Sequence, residues 1–255
     1  MAKRNEIHLS KLSARAPKDF DKEQTKAKTE KLIEKLSELQ NVLYAENKWS
    51  LLIVLQGMDA SGKDGAIKSV FRGINPLGCR VYPFKAPTQQ ELAHDFLWRV
   101  HQQTPARGMI QIFNRSHYED VLITRVHRWI SDETARERFG YINAFEKCVQ
   151  SGGTIILKFY LHISREEQAE RFAERKTDPW KRWKYNPGDL KESKLWDEYM
   201  AAYEDVIAAC SPDIPWVIVP SDQNWYKEYV IADTIVDRLQ KLDMKYPGLP
   251  EEEGH

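Results

Sequence analysis

Three stretches of this chain concentrate residue types that handle phosphate. The first is Gly57-Met-Asp-Ala-Ser-Gly-Lys-Asp-Gly65. Gly57, four residues, then Gly62 and Lys63 match the GxxxxGK spacing of a phosphate-binding loop. Gly57, Gly62 and Gly65, with the small Ala60 and Ser61 between them, let backbone N–H groups turn inward as a nest for phosphate oxygens. A helix opening at the loop would add its positive end. Lys63 supplies a mobile full charge that can reach a transferring phosphoryl group. Asp64 stands where such loops usually carry the Ser or Thr that holds Mg²⁺. Metal binding must therefore be arranged differently, and Asp59 is the candidate. A carboxylate beside phosphates suits a hard cation; without a cation or a basic partner it would repel them.

The second stretch is Phe113-Asn-Arg-Ser-His-Tyr-Glu-Asp120. Arg115 can clamp a phosphate through two parallel N–H bonds. Glu119 and Asp120 can each hold Mg²⁺ directly or through water. Asn114, Arg115, Tyr118, Glu119 and Asp120 form the expected nucleotide-side group. His117 is read as structural, because transfer between phosphates needs no strong base.

The third stretch, Glu170 to Tyr185, mixes Arg171, Arg175, Lys176, Arg182 and Lys184 with Trp180, Trp183 and Tyr185. Such a segment can bind single-stranded nucleic acid by stacking, or serve as a lid whose arginines neutralise a transferring phosphoryl group and exclude water. The lid reading is preferred, because the phosphate loop already calls for such arginines. Arg175 is the first choice and Arg171 the second, with Lys176, Arg182 and Lys184 lengthening the anion path. Lys68 and Arg72, just after the loop, complete the phosphate-binding set, and Lys85 and Arg125 are further candidates to line the path.

These residues need a scaffold. Ser50 to Gln56 is a continuous apolar run and reads as a buried parallel strand leading into the loop. Met109 to Phe113, Thr154 to Ile163 and Trp216 to Pro220 read as further strands, with a short one over Arg80 to Phe84. Helices are expected over Glu23–Glu46, from Ala66 to Arg72, over Gln89–Gln103 and Asp132–Gln150, after a Ser164 cap, and over Lys227–Leu242. The first helix, with Leu32, Ile33, Leu36, Leu39, Val42 and Leu43 at three- and four-residue spacing, reads as a solvated amphipathic helix. Residues 1–22 show no period and read as an extended arm, and the tail after Tyr246 reads as frayed. Strands alternating with helices imply a mostly parallel sheet covered on both faces. In such sheets ligands sit beyond the carboxyl ends of the strands, so the first two stretches should face each other.

The 255 residues suit one domain, with an arm and helix over 1–48 and a lid over about 171–193. Lys+Arg and Asp+Glu number 38 each, which argues against wholesale attraction to nucleic acid or membrane. No apolar run is long enough to span a bilayer. Cys79, Cys148 and Cys210 are an odd number without metal spacing; they read as core thiols of a cytoplasmic protein.

Taken together, GMDASGKDG, FNRSHYEDV (113–121) and ERKTDPWKRWKYNPGDL (174–190) resemble the polyphosphate kinase 2 family. NPLGCRV (75–81), APTQQELAHDFLWRVH (86–101) and NWYKEY (224–229) extend the resemblance, which runs in order from about Asn41 to Pro247. It implies a three-layer α/β/α P-loop kinase fold with a helical lid. It also implies reversible transfer of the terminal phosphoryl group of inorganic polyphosphate to nucleotides, with Mg²⁺ and Mn²⁺ as an alternative, in a homo-oligomer (dimer or tetramer). The family's functional residues fall on Asp59, Lys63, Arg115 and Arg175. Asn114 replaces an Asp found in many members, which would move a metal role to Asp120. The form NRSHYEDV resembles the subgroup acting on nucleoside mono- and diphosphates. Two other expectations share the loop: an ATP-dependent nucleoside monophosphate kinase, and a non-enzymatic nucleotide or polyphosphate sensor.

Overall fold

The computed structural model describes residues 7–210 and 212–248. In chain order the elements are α1 (Lys22–Glu46), β1 (Ser50–Gln56), α2 (Lys63–Val70), β2 (Cys79–Pro83), α3 (Gln89–Leu92), α4 (Trp98–His101), β3 (Ile110–Asn114), α5 (Ile123–Val126), α6 (Asp132–Ser151), β4 (Thr154–His162), α7 (Arg165–Thr177), α8 (Pro187–Glu192), α9 (Trp196–Ala209), β5 (Trp216–Pro220) and α10 (Asn224–Gln240). The strands form one sheet in the order β2-β3-β1-β4-β5, and every pairing is parallel. β1 lies at the centre and is buried at every position. Its residues alternate between faces, as a strand requires. Leu51, Ile53 and Leu55 pack with Leu36 and Leu43 of α1, Val70 of α2 and Ile231 and Ile235 of α10. Leu52 and Val54 pack on the other side with Phe139 and Ile142 of α6 and Tyr203 and Val206 of α9. The result is three layers, helix on sheet on helix. Among the described residues, no helix is long and apolar enough to cross a membrane.

Several elements differ from the sequence expectation. The helix after the loop begins at Lys63, because Gly62 adopts φ +92° and turns the chain directly into it. The helix expected over Gln89–Gln103 is broken into α3 and α4: Asp95 Oδ1 accepts from Leu97 N at 2.9 Å, so a side-chain turn competes with the helical ladder there. α9 was not expected at all. α1 is only half solvated, since Ile33, Leu36 and Leu43 are buried and the helix lies along α10. The described part of the arm is docked rather than free. Leu9 is fully buried, its N–H donates to Glu204 Oε1 at 2.7 Å, and His162 Nε2 donates to Leu12 O at 3.1 Å. Of the three expected core thiols, Cys210 is buried, Cys79 half-buried and Cys148 exposed. Residues 1–6 of the expected arm and the tail from 249 lie outside the described residues.

Candidate active site

The carboxyl end of β1 runs straight into the phosphate loop. At Gly57 φ is +151°, and a Cβ there would lie 2.7 Å from Leu161 O, so this position admits no side chain. Ala60 is also left-handed, at φ +64°, which turns the loop before α2. Lys63 is folded back into the loop, donating to Gly57 O at 2.7 Å and Met58 O at 3.1 Å. Burial, followed by the charge of Arg115, lowers its pKa to about 8. Ser61 Oγ is buried and has no hydrogen-bond partner among the described residues.

The end of the neighbouring β3 supplies the opposing residues. Arg115 has φ +62°, and its N–H donates to Leu55 O at 3.0 Å, which swings the side chain toward the loop. Its Nη2 donates to Asp59 Oδ1 at 2.6 Å, and its Nη1 lies 3.5 Å from Glu119 Oε2. Glu119 first, then Asp59, hold the guanidinium firmly protonated. Gln56 ties Glu119 to β1: its amide oxygen accepts from Ser116 Oγ at 3.0 Å and its nitrogen donates to Glu119 Oε1 at 3.0 Å. Asp64 accepts from Asn114 Nδ2 at 2.8 Å and from Lys184 Nζ at 3.2 Å. Burial opposes its ionisation, but these two bonds outweigh burial and lower its pKa. The residue in place of the usual Ser or Thr thus links the loop, β3 and the segment after α7.

Two residues of the FNRSHYED stretch take places other than those expected. Tyr118 is fully buried and turns away from the cleft, its hydroxyl donating to Glu146 Oε1 at 2.7 Å. Asp120 faces Arg99 and Arg138, with Oδ2 3.6 Å from Arg99 Nη2, and burial raises its pKa against those two charges. The residues following Ser116 form a 3-10 helix, His117–Val121, which sends Glu119 toward the loop and its neighbours elsewhere. His117 is buried, with Nε2 3.2 Å from Glu146 Oε1. Beneath it Lys158 Nζ donates to Glu146 Oε2 at 2.7 Å and to Tyr118 Oη at 2.9 Å. This network fixes the floor of the turn that carries Arg115 and Glu119.

The basic helix α7 reaches over the loop and is tied to it. Gln168 Nε2 donates to Asp59 O at 2.9 Å, and Arg171 Nη1 to Ala60 O at 2.8 Å. Arg171 Nη2 also donates to Ser221 O and Asp222 O, so Arg171 braces backbone. Arg175 Nη1 donates to Asp189 Oδ2 at 2.8 Å across the lid. Burial and the nearby Asp59 charge raise the Asp189 pKa. Lys176 sits over the Tyr185 ring and Arg182 Nε donates to Lys176 O. Trp180 and Trp183 are 88% and 78% exposed, so neither serves the core.

A cleft of about 580 Å³ runs between loop and lid, lined by Asp59, Lys63, Lys85, Arg115, Arg171, Arg175, Lys181, Lys184 and Lys227 among others. A second, tighter pocket lies against Gly57, Met58, Glu119, Gln168, Glu192, Tyr199 and Tyr203. Asp59 and Arg115 line both. Lys68, Arg72 and Arg125 line neither. Lys68 is on the exposed side of α2, Arg72 is paired with Glu30 of α1, and Arg125 with Asp132 and Asp205.

Lys227 escaped the sequence reading. It is fully buried, donates to Asn224 Oδ1 at 2.8 Å, and has its pKa lowered to about 7 by burial and by Arg171. A signal existed: residues 227, 231, 235 and 239 share one buried stripe of α10, and a lysine on such a stripe is out of place.

Asp59 is the loop carboxylate available to a metal, with Glu119 across Arg115. Among the described residues no three or more His, Cys, Asp or Glu side chains gather into a metal site. Mg²⁺ is ordinarily held by one or two carboxylates plus substrate phosphate oxygens, so this donor set fits such an ion.

A parallel sheet with a phosphate loop beyond its central strand, an arginine from the next strand and a basic helix above them defines a phosphotransferase of the P-loop kinase type. Comparison with known proteins narrows the class. The family model for polyphosphate kinase 2 (PPK2) matches residues 19–247, and the chain belongs to that family. It is 49% identical over 214 residues to the AMP/ADP-polyphosphate phosphotransferase of Meiothermus ruber, covering 84% of this chain and 80% of that protein. It is 43% identical over 228 residues to the ADP-polyphosphate phosphotransferase of Rhodopseudomonas palustris, covering 84% and 79%. The crystal structure of polyphosphate kinase 2 from Arthrobacter aurescens TC1 superimposes with a TM-score of 0.93 at 38% identity, over 96% of this chain and 89% of that one.

Proposed function

We propose that the protein transfers the terminal phosphoryl group of inorganic polyphosphate to ADP and AMP, and also to guanine nucleotides, reversibly and with Mg²⁺. The observation that carries this reading is the contact of Asp59 with Arg115 where the two clefts meet. On one side lies a cleft rich in Lys and Arg, suited to a polyanion without a base to recognise. On the other lies the tighter pocket, which we assign to the acceptor's phosphate. The names of the relatives at 49% and 43% identity support the nucleotide acceptors.

The loop N–H groups and Lys63 hold the transferring group, which requires Lys63 Nζ to leave Gly57 O and Met58 O. Arg115 and Arg175 neutralise charge as the bridging oxygen leaves. The acceptor phosphate attacks in line from the opposite side, and no side chain is asked to form a covalent intermediate. Asp59 and Glu119 would hold Mg²⁺, which when bound draws charge from the phosphate oxygens. The test is polyphosphate supplied with AMP, ADP, GMP or GDP, and AMP supplied separately with ATP, with products resolved by chromatography. ATP and GTP formed from polyphosphate are expected. Transfer from ATP to AMP with none from polyphosphate would overturn the reading.

A further inference from the structure

The bare Cα of Gly62 is covered by two cations. A Cβ built there would collide with Lys227 Nζ and come within 3.3 Å of Arg171 Nη1. Lys63 follows on the other side of the same residue, so three cationic side chains surround one turn of the loop. Arg171 is paired with Glu167 at 2.8 Å and spends its remaining donors on backbone oxygens. Among the described residues, neither Lys63 nor Lys227 has a carboxylate within ion-pair distance. Lys63 donates to Gly57 O and Met58 O, while Lys227 donates to the neutral Asn224 Oδ1 and lies 3.5 Å from Ser61 O. Both are buried, both have the charged form disfavoured by burial and by a neighbouring cation, and both line the cleft between loop and lid. A buried ammonium without a counter-ion is costly. Two of them on one loop make sense when the missing anion is the ligand. Lys227 also rides on the first turn of α10, whose N-terminus carries no side-chain cap and adds its partial positive charge there.

We propose that Lys227 is the core of a second phosphate subsite on the α10 side of the loop, which takes an inner phosphate of the donor's phosphoanhydride chain while Lys63 holds the transferring one. This rests on the polyphosphate-donor reading above. Arg171 contributes its field and keeps the loop backbone in place rather than touching the ligand. The groups facing Lys227 are Arg171 and Glu167 of α7, Lys63 of α2 and Glu228 of α10 itself. With burial and Arg171 holding its pKa near 7, Lys227 is partly neutral around neutral pH when no anion is bound. A phosphate brought beside it favours the charged form, so donor binding must take up a proton there. Lys63 behaves the same way to a smaller extent.

The test is calorimetric titration of inorganic tripolyphosphate, and separately of ADP, into the full chain at pH 7.5, in two buffers of different ionisation enthalpy. Wild type, Lys227→Met and Lys227→Arg are compared. Losing one charge-assisted hydrogen bond to a phosphate should weaken tripolyphosphate about tenfold or more in Lys227→Met. Lys227→Arg keeps most of the affinity, and ADP binding changes less than about threefold in either variant, a margin set by surface-type electrostatics alone. Proton uptake with tripolyphosphate is smaller in both variants than in wild type, since neither side chain can gain a proton. Unchanged tripolyphosphate affinity in a folded Lys227→Met overturns the subsite. So does an equal loss of ADP affinity, which would put nucleotide phosphates there instead. If Lys227→Met does not fold, the comparison of wild type with Lys227→Arg decides, and equal proton uptake in the two overturns the proposal. ATP formation from ADP and polyphosphate is followed in parallel. No ATP from wild type removes the donor reading itself, whereas ATP formation with an unaltered KM for polyphosphate in Lys227→Met removes the subsite alone.

Discussion

Lys158 and Lys63 are both buried lysines close to the FNRSHYED turn, yet their surroundings are opposite. Lys158 has a full set of partners: Glu146 at 2.7 Å, the Tyr118 hydroxyl at 2.9 Å and the Cys210 carbonyl. Among the described residues, Lys63, like Lys227, has backbone or amide oxygens as partners and no carboxylate. The first arrangement is complete as it stands and leaves nothing for a ligand to supply. The second leaves positive charge in want of an anion. Within one molecule, the presence or absence of a counter-ion separates a lysine that builds the site from the lysines we propose bind the ligand there.

Substitution should separate the two kinds sharply. Lys63→Ala and Asp59→Asn are expected to reduce phosphoryl transfer by at least about 10²–10³-fold, the scale for removing one preorganised charge-stabilising group. Thermal unfolding should show both variants folded, and Lys63→Ala no less stable than wild type. Lys158→Met should do the reverse in kind. It leaves Glu146 buried without its cation, a loss of about 3–5 kcal/mol for a broken buried pair, read as a lower denaturation midpoint with KM for polyphosphate little changed in whatever fraction stays folded. Equal stability of Lys158→Met and wild type would erase the distinction.

The pH dependence of stability sharpens the same comparison with a smaller effect. Lys63 and Lys227 have folded-state pKa values of about 8 and about 7, below the ordinary lysine value of 10.5. Between those values and 10.5 the unfolded chain binds more protons than the folded one. Stability from these groups therefore rises as pH increases across that window. Ligand-free wild type should thus gain thermal stability from pH 7 to pH 9 relative to Lys63→Met, measured in the same buffers. A relative loss would show that these lysines are better paired than the geometry indicates. Glu146 works in the acid range: although burial opposes it, His117 and Lys158 hold its carboxyl below the usual value, so its contribution is present above that value and lost on acidification. The smallest effect is expected at Asp64. Its side chain is 61% exposed, so Asp64→Ser should cost less than about 1 kcal/mol. It loosens the tie of Asn114 and Lys184 to the loop, which steady-state kinetics would register as a few-fold change at most.

Much of this architecture is legible in the sequence for physical reasons. Leu51 to Leu55 is apolar throughout because both faces of β1 are covered, and Gly57 must be glycine because Leu161 O leaves no room for a Cβ. What escaped reading depends on contacts far apart in the chain. α9 mixes aromatic and acidic residues, and its buried stripe of Trp196, Tyr199, Ala202, Tyr203, Val206 and Ile207 only becomes a pattern when counted at three- and four-residue steps. The orientations of Tyr118 and Asp120 are set by a 3-10 turn and by Glu146, Arg99 and Arg138, none of which a local motif reveals. Arg175 ranks before Arg171 in the sequence only by its place nearer the helix end, whereas in the structure, one turn apart, they do different things: Arg171 grips Ala60 O and Arg175 Asp189. Lys227 was hidden because a single lysine in a helix is usually a solvated charge.

Phosphorus NMR of the wild-type protein with polyphosphate, ADP and Mg²⁺, run beside Lys63→Ala, tests the central claim most directly. The γ-phosphate signal of ATP is expected to grow in wild type at the expense of polyphosphate and to stay absent in Lys63→Ala. Growth of that signal at the wild-type rate in Lys63→Ala, or no ATP from the wild-type protein, would contradict it.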